Sequence, residues 1–472
     1  MKTTDTCLLM PINTREEFSA LAISPAQIAN LRSLEYAFMT PIQAASLPEI
    51  LAGKDLIAQA KTGSGKTAAF GIGLLEQIHP RFFGTQALVL CPTRELADQV
   101  TQELRRLARA LPNIKLLSLV GGKPFGPQKD SLEHGAHVVV GTPGRVLDHL
   151  QKGNLKLEGL RTLVLDEADH MLDMGFADTM DAIIAATPNK RQTLLFSATY
   201  PDAIAAISRR IQNAPVMVSV ESVHRPGVIE QIFYQVKPHE RNGALLALFQ
   251  HYKPTSTLVF CHTRKQCAEV NRLLQDNRIE SLAIHGDLEQ RERDEVLVQL
   301  ANNSCPVLVA TDVAARGLDI KLLAAVFNYE LPRDPKVYVH RIGRTGRAGE
   351  RGLAMSLFTE AEQRRLQAIE AELATPCLQD TPASLDRDPA FTLGGNMATL
   401  ELNAGRKQKL RPGDLLGALT GDAGLPGASV GKIDIFDTRS FVAVDRSVAK
   451  QTLQFFIDGK VKGRGIRARR LR

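Results

Sequence analysis

Residues 55–78 read DLIAQAKTGSGKTAAFGIGLLEQI. A short apolar strand pattern leads into a glycine-rich turn, and a helix pattern follows at once. Gly63 and Gly65 allow backbone N–H groups to close around phosphate oxygens. Lys66 can reach the β- and γ-phosphates of a nucleotide, and Thr67 can hold Mg²⁺. A plain turn before a helix is the alternative, but the flanking strand and helix favour a phosphate-binding loop.

The same alternation of apolar strands and longer helices continues along the chain. The runs QALVLC, HVVVG, TLVLD and QTLLFS are separated by helix-length segments. After a break that contains prolines, the pattern restarts with STLVFC, SLAIHG, PVLVATD and AVFNYE. Continuous apolar strands between helices predict parallel sheets that are covered on both faces. We therefore expect two α/β domains, residues 1–212 and 229–378, joined by a linker at 213–228.

The last part of the chain has a different pattern. A stretch at 379–396 with prolines and few apolar residues predicts a second linker. Residues 397–472 then read strand (ATLEL), helix (RPGDLLGALT), strand (KIDIFD), strand (RSFVAVD), helix (AKQTLQFFIDG) and strand (GIRARRL). This βαββαβ order is typical of a small α+β domain of the RNA-recognition type.

Net charge separates the same two parts of the chain. The 472 residues carry 58 Lys and Arg against 51 Asp and Glu, a formal net charge of +7. Residues 393–472 hold 15 Lys and Arg against 7 Asp and Glu, so their net charge is +8 and residues 1–392 are left with −1. We therefore expect the near-neutral body to hold ligands through individually placed groups, and the basic tail to bind a polyanion.

Composition excludes several other classes of protein. With 44% hydrophobic and 23% charged residues, the chain matches soluble globular proteins. No apolar run approaches the roughly 18 residues of a membrane span, and the first residues do not form a signal peptide. Six scattered cysteines without a CxxC pair indicate neither a zinc site nor a disulfide framework. We expect a cytoplasmic protein without membrane association, and no stable protein partner is evident.

An acidic motif adds to the nucleotide chemistry. LVLDEADH places Asp166, Glu167 and Asp169 directly after an apolar strand. A carboxylate in this place can bind Mg²⁺ through water, and a second one can orient and deprotonate an attacking water. Most acidic clusters are solvated loops, but the pairing of this one with a phosphate-binding loop favours nucleotide hydrolysis.

The order of short motifs resembles that of the DEAD-box RNA helicases. The matching segments are AKTGSGKT (60–67), PTRELA (92–97), TPGR (142–145), DEAD (166–169), SAT (197–199), TDVAARGLD (311–319) and HRIGRTGR (340–347). The resemblance runs from roughly residue 18 to residue 360. It implies two tandem RecA-like domains, ATP and Mg²⁺ as ligands, and RNA-stimulated ATP hydrolysis.

The resemblance also assigns nucleotide-binding residues. Tyr36 and Gln43 match the adenine-reading segment, where a ring can stack on the base and an amide can pair with its N6/N7 edge. Phe18 matches the isolated aromatic upstream, although it fits a core position equally well. Asp319 matches the ribose contact. The residues of the phosphate-binding loop are Lys61, Thr62, Gly63, Ser64, Gly65, Lys66 and Thr67.

Catalytic roles follow in the same way. Lys66, Asp166 and Glu167 form the catalytic set of the first half, with Thr67 and Asp166 at the metal. Arg344 and Arg347 are spaced for one face of a helical turn and match arginine fingers, which commonly add ~10³ to 10⁵ in rate. An arginine run is otherwise a solvated face.

RNA binding by the core is implied as well. Ser197, Thr199 and Asp169 are expected to couple hydrolysis to RNA, although an ordinary turn at a strand end is the alternative. Contacts with the sugar-phosphate backbone, indifferent to base sequence, are expected from Thr93, Arg94, Gly121, Gly122, Thr142, Arg145, Arg264, Gln290, Arg293 and Thr311.

The tail resembles the RNA-binding domain of the DbpA subfamily of DEAD-box helicases. The similar segments are GRKQKLRPGDLLGALT, VGKIDIFD and GKVKGRGIRARR. This resemblance implies targeting to a hairpin of 23S ribosomal RNA in pre-50S particles. Phe441 alone falls on an aromatic position of the usual base-stacking strand, so loops and edges are expected to bind RNA instead. The expected contacts are Lys407, Arg411, Lys460, Lys462 and Arg464.

Two alternatives stand beside RNA-dependent ATP hydrolysis. A non-enzymatic, ATP-gated RNA clamp or scaffold would have no need of Glu167, Arg344 and Arg347. A DNA helicase would share the same core motifs, and comparing RNA with DNA duplexes as stimulants distinguishes it.

Overall fold

The computed structural model describes residues 16–60, 63–220, 229–315, 323–346 and 352–471. The chain divides into two compact units, Met1–Val223 with Gly317–Asp319 and His224–Arg316 with Ile320–Arg472. The first unit is one α/β domain. The second unit contains another α/β domain and the C-terminal domain.

The first unit is built on short strands of apolar residues. Its strands are β1 (Leu56–Gln59), β2 (Ala87–Leu90), β3 (Leu116–Leu119), β4 (Val138–Gly141), β5 (Thr162–Asp166), β6 (Gln192–Ser197) and β7 (Val216–Ser219). Its helices are α1 (Pro25–Ser33), α2 (Pro41–Leu51), α3 (Lys66–Glu76), α4 (Arg94–Leu107), α5 (Phe125–Glu133), α6 (Pro143–Gln151), α7 (Ala168–Asp173), α8 (Ala177–Ala185) and α9 (Asp202–Ile211). Within the described ranges, the seven strands form one parallel sheet in the order β3-β4-β2-β5-β6-β1-β7.

Both faces of this sheet are buried. Leu56 and Ala58 of β1 belong to one apolar core together with Phe70 of α3. Ile57, between them, belongs to the core on the other face with Leu165 of β5. Successive strand residues point to opposite faces, so a continuous apolar strand needs helices on both sides. The predicted α/β layering is therefore confirmed, and the motif-bearing loops leave the sheet at the carboxyl ends of its strands.

The second unit repeats this plan. Its first strands are β8 (Ile229–Gln235), β9 (Thr257–Cys261), β10 (Ser281–Ile284), β11 (Val307–Thr311), β12 (Ala325–Asn328), β13 (Gly352–Phe358) and β14 (Leu378–Asp380). The helices are α10 (Arg241–Tyr252), α11 (Arg264–Asp276), α12 (Gln290–Ala301), α13 (Asp312–Ala315), α14 (Pro335–Ile342) and α15 (Gln363–Leu373). In the described part of the unit, these seven strands are parallel in the order β10-β11-β9-β12-β13-β8-β14.

The C-terminal domain has the predicted βαββαβ order. Its elements are β15 (Met397–Leu402), α16 (Pro412–Gly417), which a π-helical turn extends over Ala418–Asp422, β16 (Val430–Ile435), β17 (Ser440–Asp445), α17 (Ala449–Asp458) and β18 (Ala468–Arg470). The described strands form an antiparallel sheet in the order β16-β17-β15-β18. Leu400 and Val442 pack with Leu415 and Phe456 of the helices in one core. The helices therefore cover one face of the sheet.

The described parts of the two predicted linkers, 213–220 and 379–396, are more ordered than the sequence suggests, and residues 221–228 lie outside the described residues. Val216–Ser219, expected in the linker 213–228, forms β7 and pairs with β1. Leu378–Asp380, which spans the expected start of the linker 379–396, forms β14 and pairs with β8. Leu385 is buried in the second α/β core, and Phe391 and Leu393 pack against that core. Scattered apolar residues therefore attach both segments to sheets despite the prolines beside them.

The cysteines among the described residues carry free thiols. Cys91, Cys261, Cys267 and Cys305 are unpaired and buried, and Cys377 is half-buried. Burial raises the pKa of the Cys305 and Cys377 thiols to about 12, which keeps both protonated and poorly nucleophilic.

No helix among the described residues has both the length and the apolar surface that crossing a membrane requires.

Candidate nucleotide and RNA sites

The phosphate-binding loop lies between β1 and α3. Gly63 and Gly65 have φ angles of 79° and 98°, in the left-handed region that residues with side chains rarely adopt. A Cβ atom on Gly65 would also lie 2.5 Å from Nε2 of Gln43. Lys66 begins α3 and donates from Nζ to the carbonyl of Ala60 at 2.9 Å. The loop and the helix N-terminus thus present backbone N–H groups beside a lysine, an arrangement that suits phosphate.

Asp166, the last residue of β5, fits a metal site. Its side chain is buried, and Oδ1 has no hydrogen-bond partner among the described residues. Burial raises the pKa of Asp166 to about 7, with Lys66 opposing the shift and Glu167 adding to it. A cation stabilises such a carboxylate in its charged form. Thr67 lines the same cavity, so Thr67 and Asp166 are the residues that would hold Mg²⁺.

A cavity of about 500 Å³ connects the phosphate-binding loop with the adenine segment. Tyr36 and Phe38 line it, and Phe38 is 45% exposed. The hydroxyl of Tyr36 donates to Oε1 of Glu103 at 2.6 Å, and burial together with this bond raises the pKa of Tyr36. Two aromatic rings at the mouth of a cavity offer a stacking surface for a base. Tyr36 thus lines the cavity, while its stacking on adenine stays a prediction, and Phe38 is a second lining ring that the sequence analysis did not name.

The amide of Gln43 joins the adenine segment to the phosphate-binding loop. Its Oε1 accepts from the backbone N–H of Thr40 at 2.9 Å, and its Nε2 donates to the carbonyl of Gly65 at 3.1 Å. These bonds use one of the two N–H groups and one of the two lone pairs of the amide. These bonds leave one N–H group and one lone pair of the amide, and the N6/N7 contact of Gln43 with adenine stays a prediction.

Phe18 does not line the cavity. It is 3% exposed, belongs to the core, and lies edge-on to Tyr36 with ring centroids 6.1 Å apart. Phe18 is thus observed in the core, packed against the ring of Tyr36, and its contact with ATP stays a prediction. Lys61, Thr62, Asp319 and Arg347 lie outside the described residues.

The acidic motif divides between two functions. Glu167 is the N-cap of α7 and has φ and ψ angles of 51°, in the left-handed region. Oδ2 of Asp169 accepts from the backbone N–H of Thr199 at 3.0 Å and from its Oγ1 at 2.8 Å. Burial would raise the pKa of Asp169, but His170 and the hydrogen bonds from Thr199 outweigh it and lower the pKa. Of the expected coupling residues, Thr199 is thus in direct contact with Asp169 of the acidic motif.

Strand order separates two regions along the carboxyl edge of the first sheet. The residues that follow β2, β3 and β4 are the ones expected to hold RNA, namely Thr93, Arg94, Gly121, Gly122, Thr142 and Arg145. The residues that follow β1, β5 and β6 are the nucleotide and coupling groups. Because β3, β4 and β2 are neighbours, and β5, β6 and β1 are neighbours, each set occupies one half of the edge.

Individual contacts support the placement of the first set. Thr93 is the N-cap of α4, and its hydroxyl accepts from the N–H of Leu96 at 3.2 Å. The guanidinium of Arg94 lies 3.2 Å from the place of a Cβ on Gly121, so a larger residue there would press on this arginine. Nη1 of Arg145 donates to the carbonyl of Lys123 at 3.1 Å. The first turns of α4 and α6, with Arg94 and Arg145, therefore lie at the same edge of the first sheet.

The second unit places its expected RNA contacts in the corresponding positions. Arg264 follows β9 and pairs with Asp287. Gln290 and Arg293 occupy the first turn of α12, and Thr311 ends β11. Strands β10, β11 and β9 are neighbours, so these residues too share the carboxyl edge of their sheet.

Arg344 lies in a turn rather than on a helix. Helix α14 ends at Ile342, and the N–H of Arg344 donates to the carbonyl of Arg341 in the turn that follows. The prediction that Arg344 and Arg347 share a helical face is therefore wrong for Arg344, because Gly343 caps the helix before it. The side chain of Arg344 is largely buried.

In the second unit, one face of the C-terminal sheet packs on α12. Phe441 of the central strand β17 is fully buried with Val298 of α12 and with Leu471. The hydroxyl of Thr399 in β15 lies 2.7 Å from Oγ of Ser304, just beyond α12. RNA-recognition domains usually stack bases on this face of the two central strands. That face is covered here, which agrees with the expectation that Phe441 does not serve base stacking.

Charged residues surround this contact. Arg439 donates to Oδ2 of Asp294 at 2.8 Å and to Oε1 of Glu295 at 3.2 Å. Arg469 donates to Glu295 at 3.0 Å and also pairs with Glu401 of β15. Two of the basic residues of the tail, Arg439 and Arg469, are therefore paired with carboxylates of their own chain.

Basic residues of two loops of the tail form a separate surface. Lys407, Arg411, Lys460, Lys462 and Arg464 are exposed. Nζ of Lys462 donates to Asp414 at 2.9 Å, which ties the loop after α17 to the start of α16. We name this pair of loops, residues 406–411 and 460–467, the basic loop surface. It lies outside the contact with α12, so docking leaves it accessible.

Comparison with known proteins agrees with this geometry. The family model described as DEAD/DEAH box helicase matches residues 40–207, and the helicase conserved C-terminal domain matches residues 240–349. The DbpA RNA binding domain matches residues 399–470. The ATP-dependent RNA helicase DbpA of Escherichia coli (strain K12) is 54% identical over 456 residues, which cover 96% of this chain and 99% of that protein.

The chain is a DEAD-box RNA helicase with a DbpA RNA-binding domain. The DEAD-box ATP-dependent RNA helicase CshA of Geobacillus kaustophilus (strain HTA426) is 42% identical, covering 78% of this chain and 79% of CshA. The solved structure of S. cerevisiae Dbp5 bound to RNA and ADP BeF3 matches with a TM-score of 0.72 and 30% identity, covering 78% of this chain and 96% of that one. The tandem RecA-like fold is thereby established.

This DEAD-box helicase also buries an arginine that the sequence does not single out. Arg341 donates from Nε and Nη2 to both carboxylate oxygens of Asp312, at 2.7 and 2.8 Å. Its Nη1 donates to Oδ1 of Asn328 and to the carbonyl of Glu330, both at 2.9 Å. With its side chain 1% exposed, Arg341 fastens α14 to the strand ends. In HRIGRTGR it cannot be told from its neighbours by residue type, because its partners come from other strands.

Proposed function

We propose that this DEAD-box helicase hydrolyses ATP in response to RNA and locally unwinds and remodels 23S ribosomal RNA during assembly of the large (50S) subunit. The C-terminal domain anchors it to an rRNA hairpin, and the two RecA-like domains carry out the ATP-driven change. Its place of action is then the cytoplasm, in pre-50S particles.

Hydrolysis relies on groups around the cavity of the first unit. The glycine loop and Lys66 hold the β- and γ-phosphates, and Glu167 takes a proton from the attacking water. Thr67 and Asp166 hold Mg²⁺, which when bound neutralises charge on the phosphates. The unpartnered Oδ1 of Asp166 and the glycine cradle of the loop support these assignments.

The second domain contributes cations and RNA contacts. By resemblance, Arg344 and Arg347 stabilise the charge that develops on the γ-phosphate, and Asp319 contacts the ribose. The backbone of RNA is held by the residues at the carboxyl edges of both sheets, without reading bases. Asp169, bonded twice to Thr199, connects the hydrolysis site with the segment that follows β6. These two hydrogen bonds are the single observation that supports coupling of ATP hydrolysis to RNA binding.

Targeting relies on the basic loop surface. With its sheet face covered by α12, the C-terminal domain keeps this surface for RNA, and its five exposed cations suit the phosphates of a folded hairpin. The similarity of the tail to the DbpA subfamily supports ribosomal RNA as the target.

A measurement of phosphate release tests both parts. The full chain is expected to hydrolyse ATP slowly alone, faster with unrelated RNA, and with the lowest RNA concentration for half-maximal rate when a 23S rRNA hairpin is present. Reversal of Lys460, Lys462 and Arg464 to Glu should remove the preference for the hairpin and leave stimulation by unrelated RNA. The matched control reverses Lys432 and Lys450, which lie elsewhere on the same domain. If every RNA stimulates ATP hydrolysis equally in all three proteins, the targeting role is contradicted. If no RNA stimulates hydrolysis, the proposed RNA-dependent ATPase activity is contradicted.

A further inference from the structure

His170, directly after the acidic motif, is bonded to Glu167. Nδ1 of His170 lies 3.0 Å from Oε2 of Glu167, and both side chains are 5% exposed. An ionised carboxylate can only accept hydrogen bonds, so Nδ1 carries the proton and the imidazole donates. The two side chains therefore form a buried, charge-assisted hydrogen bond between residues that lie one helical turn apart.

The backbone of Glu167 explains why such a bond is needed. Glu167 is the N-cap of α7, where a carboxylate usually accepts from the N–H groups of the first turn. Here the side chain makes no cap bond, and the residue has φ and ψ angles of 51°, which are costly for a residue with a side chain. The carboxylate bonds instead to the ring of His170 in the first turn of the same helix, and this bond holds it in place.

The main chain of His170 reaches the second acidic residue. Its backbone N–H donates to Oδ1 of Asp169 at 3.0 Å. The other oxygen of Asp169 accepts from Thr199. His170 thus contacts two carboxylates of the motif at once, one through its ring and one through its backbone.

We propose that His170 is a positioning residue for the reaction, which fixes the carboxylate of Glu167 in the orientation that receives a proton from water. This inference rests on the proposed function, in which Glu167 is the general base. A glutamate side chain has three rotatable bonds, and holding one oxygen fixed orients the other without reorganisation during the reaction. His170 does not itself touch the reacting atoms.

Three substitutions in the full chain separate a positioning role from packing. His170→Asn keeps a donor at the place of Nδ1, His170→Gln moves the donor to the place of Nε2, and His170→Leu removes it. ATP hydrolysis at saturating RNA should fall about tenfold in kcat for the Gln and Leu variants, the size of effect expected when a hydrogen bond to a charged group is lost. KM for ATP should stay within about twofold, and the Asn variant should recover most of kcat.

Controls make each outcome decisive. His134→Leu, at an exposed histidine of the same unit, should leave kcat unchanged. Equal kcat for the Asn, Gln and Leu variants overturns the proposal, as does a kcat loss that follows a fall in melting temperature across the three. If the His170→Leu variant does not fold, the difference in kcat between the His170→Asn and His170→Gln variants tests the proposal. Glu167→Gln distinguishes the two levels: if it still turns over, the base assignment fails, and if it is inactive while His170→Leu is normal, only the role of His170 fails.

Discussion

Arg439, directly before β17, donates to Asp294 of α12 at 2.8 Å, and Asp294 in turn accepts from Nε2 of Gln290 at 3.0 Å. Gln290 is one of the proposed RNA contacts of the core. A side chain of the C-terminal domain is thus two hydrogen bonds from the RNA-facing edge of the second RecA-like domain. The two domains share one helix, with the proposed RNA contacts in its first turn and the docking contacts on one of its faces.

Reversing this charge should loosen the docked domain. Arg439→Glu places a new carboxylate beside Asp294 and Glu295, and breaking a partly buried ion pair in this way should cost about 2 kcal/mol or more of docking free energy. Hydrogen exchange should accelerate in α12 and β17. The double variant Arg439→Asp with Asp294→Arg should restore part of the protection.

The control for this experiment lies on β16, an edge strand of the same sheet. Lys432→Glu alters a half-exposed pair with Asp434, away from α12, and should leave the exchange of α12 as it is. Unchanged exchange in Arg439→Glu would show that the apolar contact of Phe441 with Val298 suffices for docking.

Glu167→Gln should stop turnover and keep binding. The amide preserves shape but cannot take the proton of the water, so kcat should fall by at least about a hundredfold. ATP-dependent RNA binding, measured by fluorescence anisotropy of a labelled single strand, should persist. Turnover near the wild-type rate would contradict the assignment of Glu167.

Glu330 should make the thermal stability of the protein depend on pH in the acidic range. The hydrogen bond from His262 at 2.8 Å is the main reason that the pKa of Glu330 falls to about 2, against an ordinary value near ~4.3 in an unfolded chain. A carboxyl with a depressed pKa stabilises the fold fully above its unfolded pKa, and this contribution is lost as pH falls towards 2. Glu330→Gln should therefore lower the melting temperature by a few degrees at pH 7 and by less at pH 3.

The comparison needs a glutamate without such a partner. Glu372→Gln, at an exposed position of α15, should leave the melting temperature the same at both pH values. A constant difference between Glu330→Gln and the wild type from pH 7 to pH 3 would rule out the ion pair as the source.

Glu35→Gly should stabilise the first unit. Glu35 follows α1 with a φ angle of 64°, a conformation that costs a residue with a side chain roughly 1 kcal/mol and costs glycine little. Thermal unfolding without nucleotide should show a gain of up to about 1 kcal/mol. Glu269→Gly, within α11, should instead destabilise by about 1 kcal/mol because glycine weakens a helix interior. A loss in both variants would refute strain at Glu35.

Much of the fold could be predicted because its signals are local. The glycine loop, the apolar strands and the βαββαβ order of the tail each depend on neighbouring residues, and all three are observed. Arg344 was misplaced because sequence spacing does not reveal that the helix before it ends at Ile342. His170 and Arg341 could not be found from the sequence, since the meaning of each comes from the partners that folding brings to it.

The segment before the C-terminal domain limits how far that domain can travel. Leu393 is fixed to the second α/β domain by a bridge to Ile279, and Met397 already begins β15. The three residues between them can span only about 10 Å when fully extended. If RNA or salt broke the contact with α12, the released domain would stay at a local concentration on the order of millimolar or higher. Redocking would then be fast and independent of protein concentration, so this helicase would search for its next target with both parts still together.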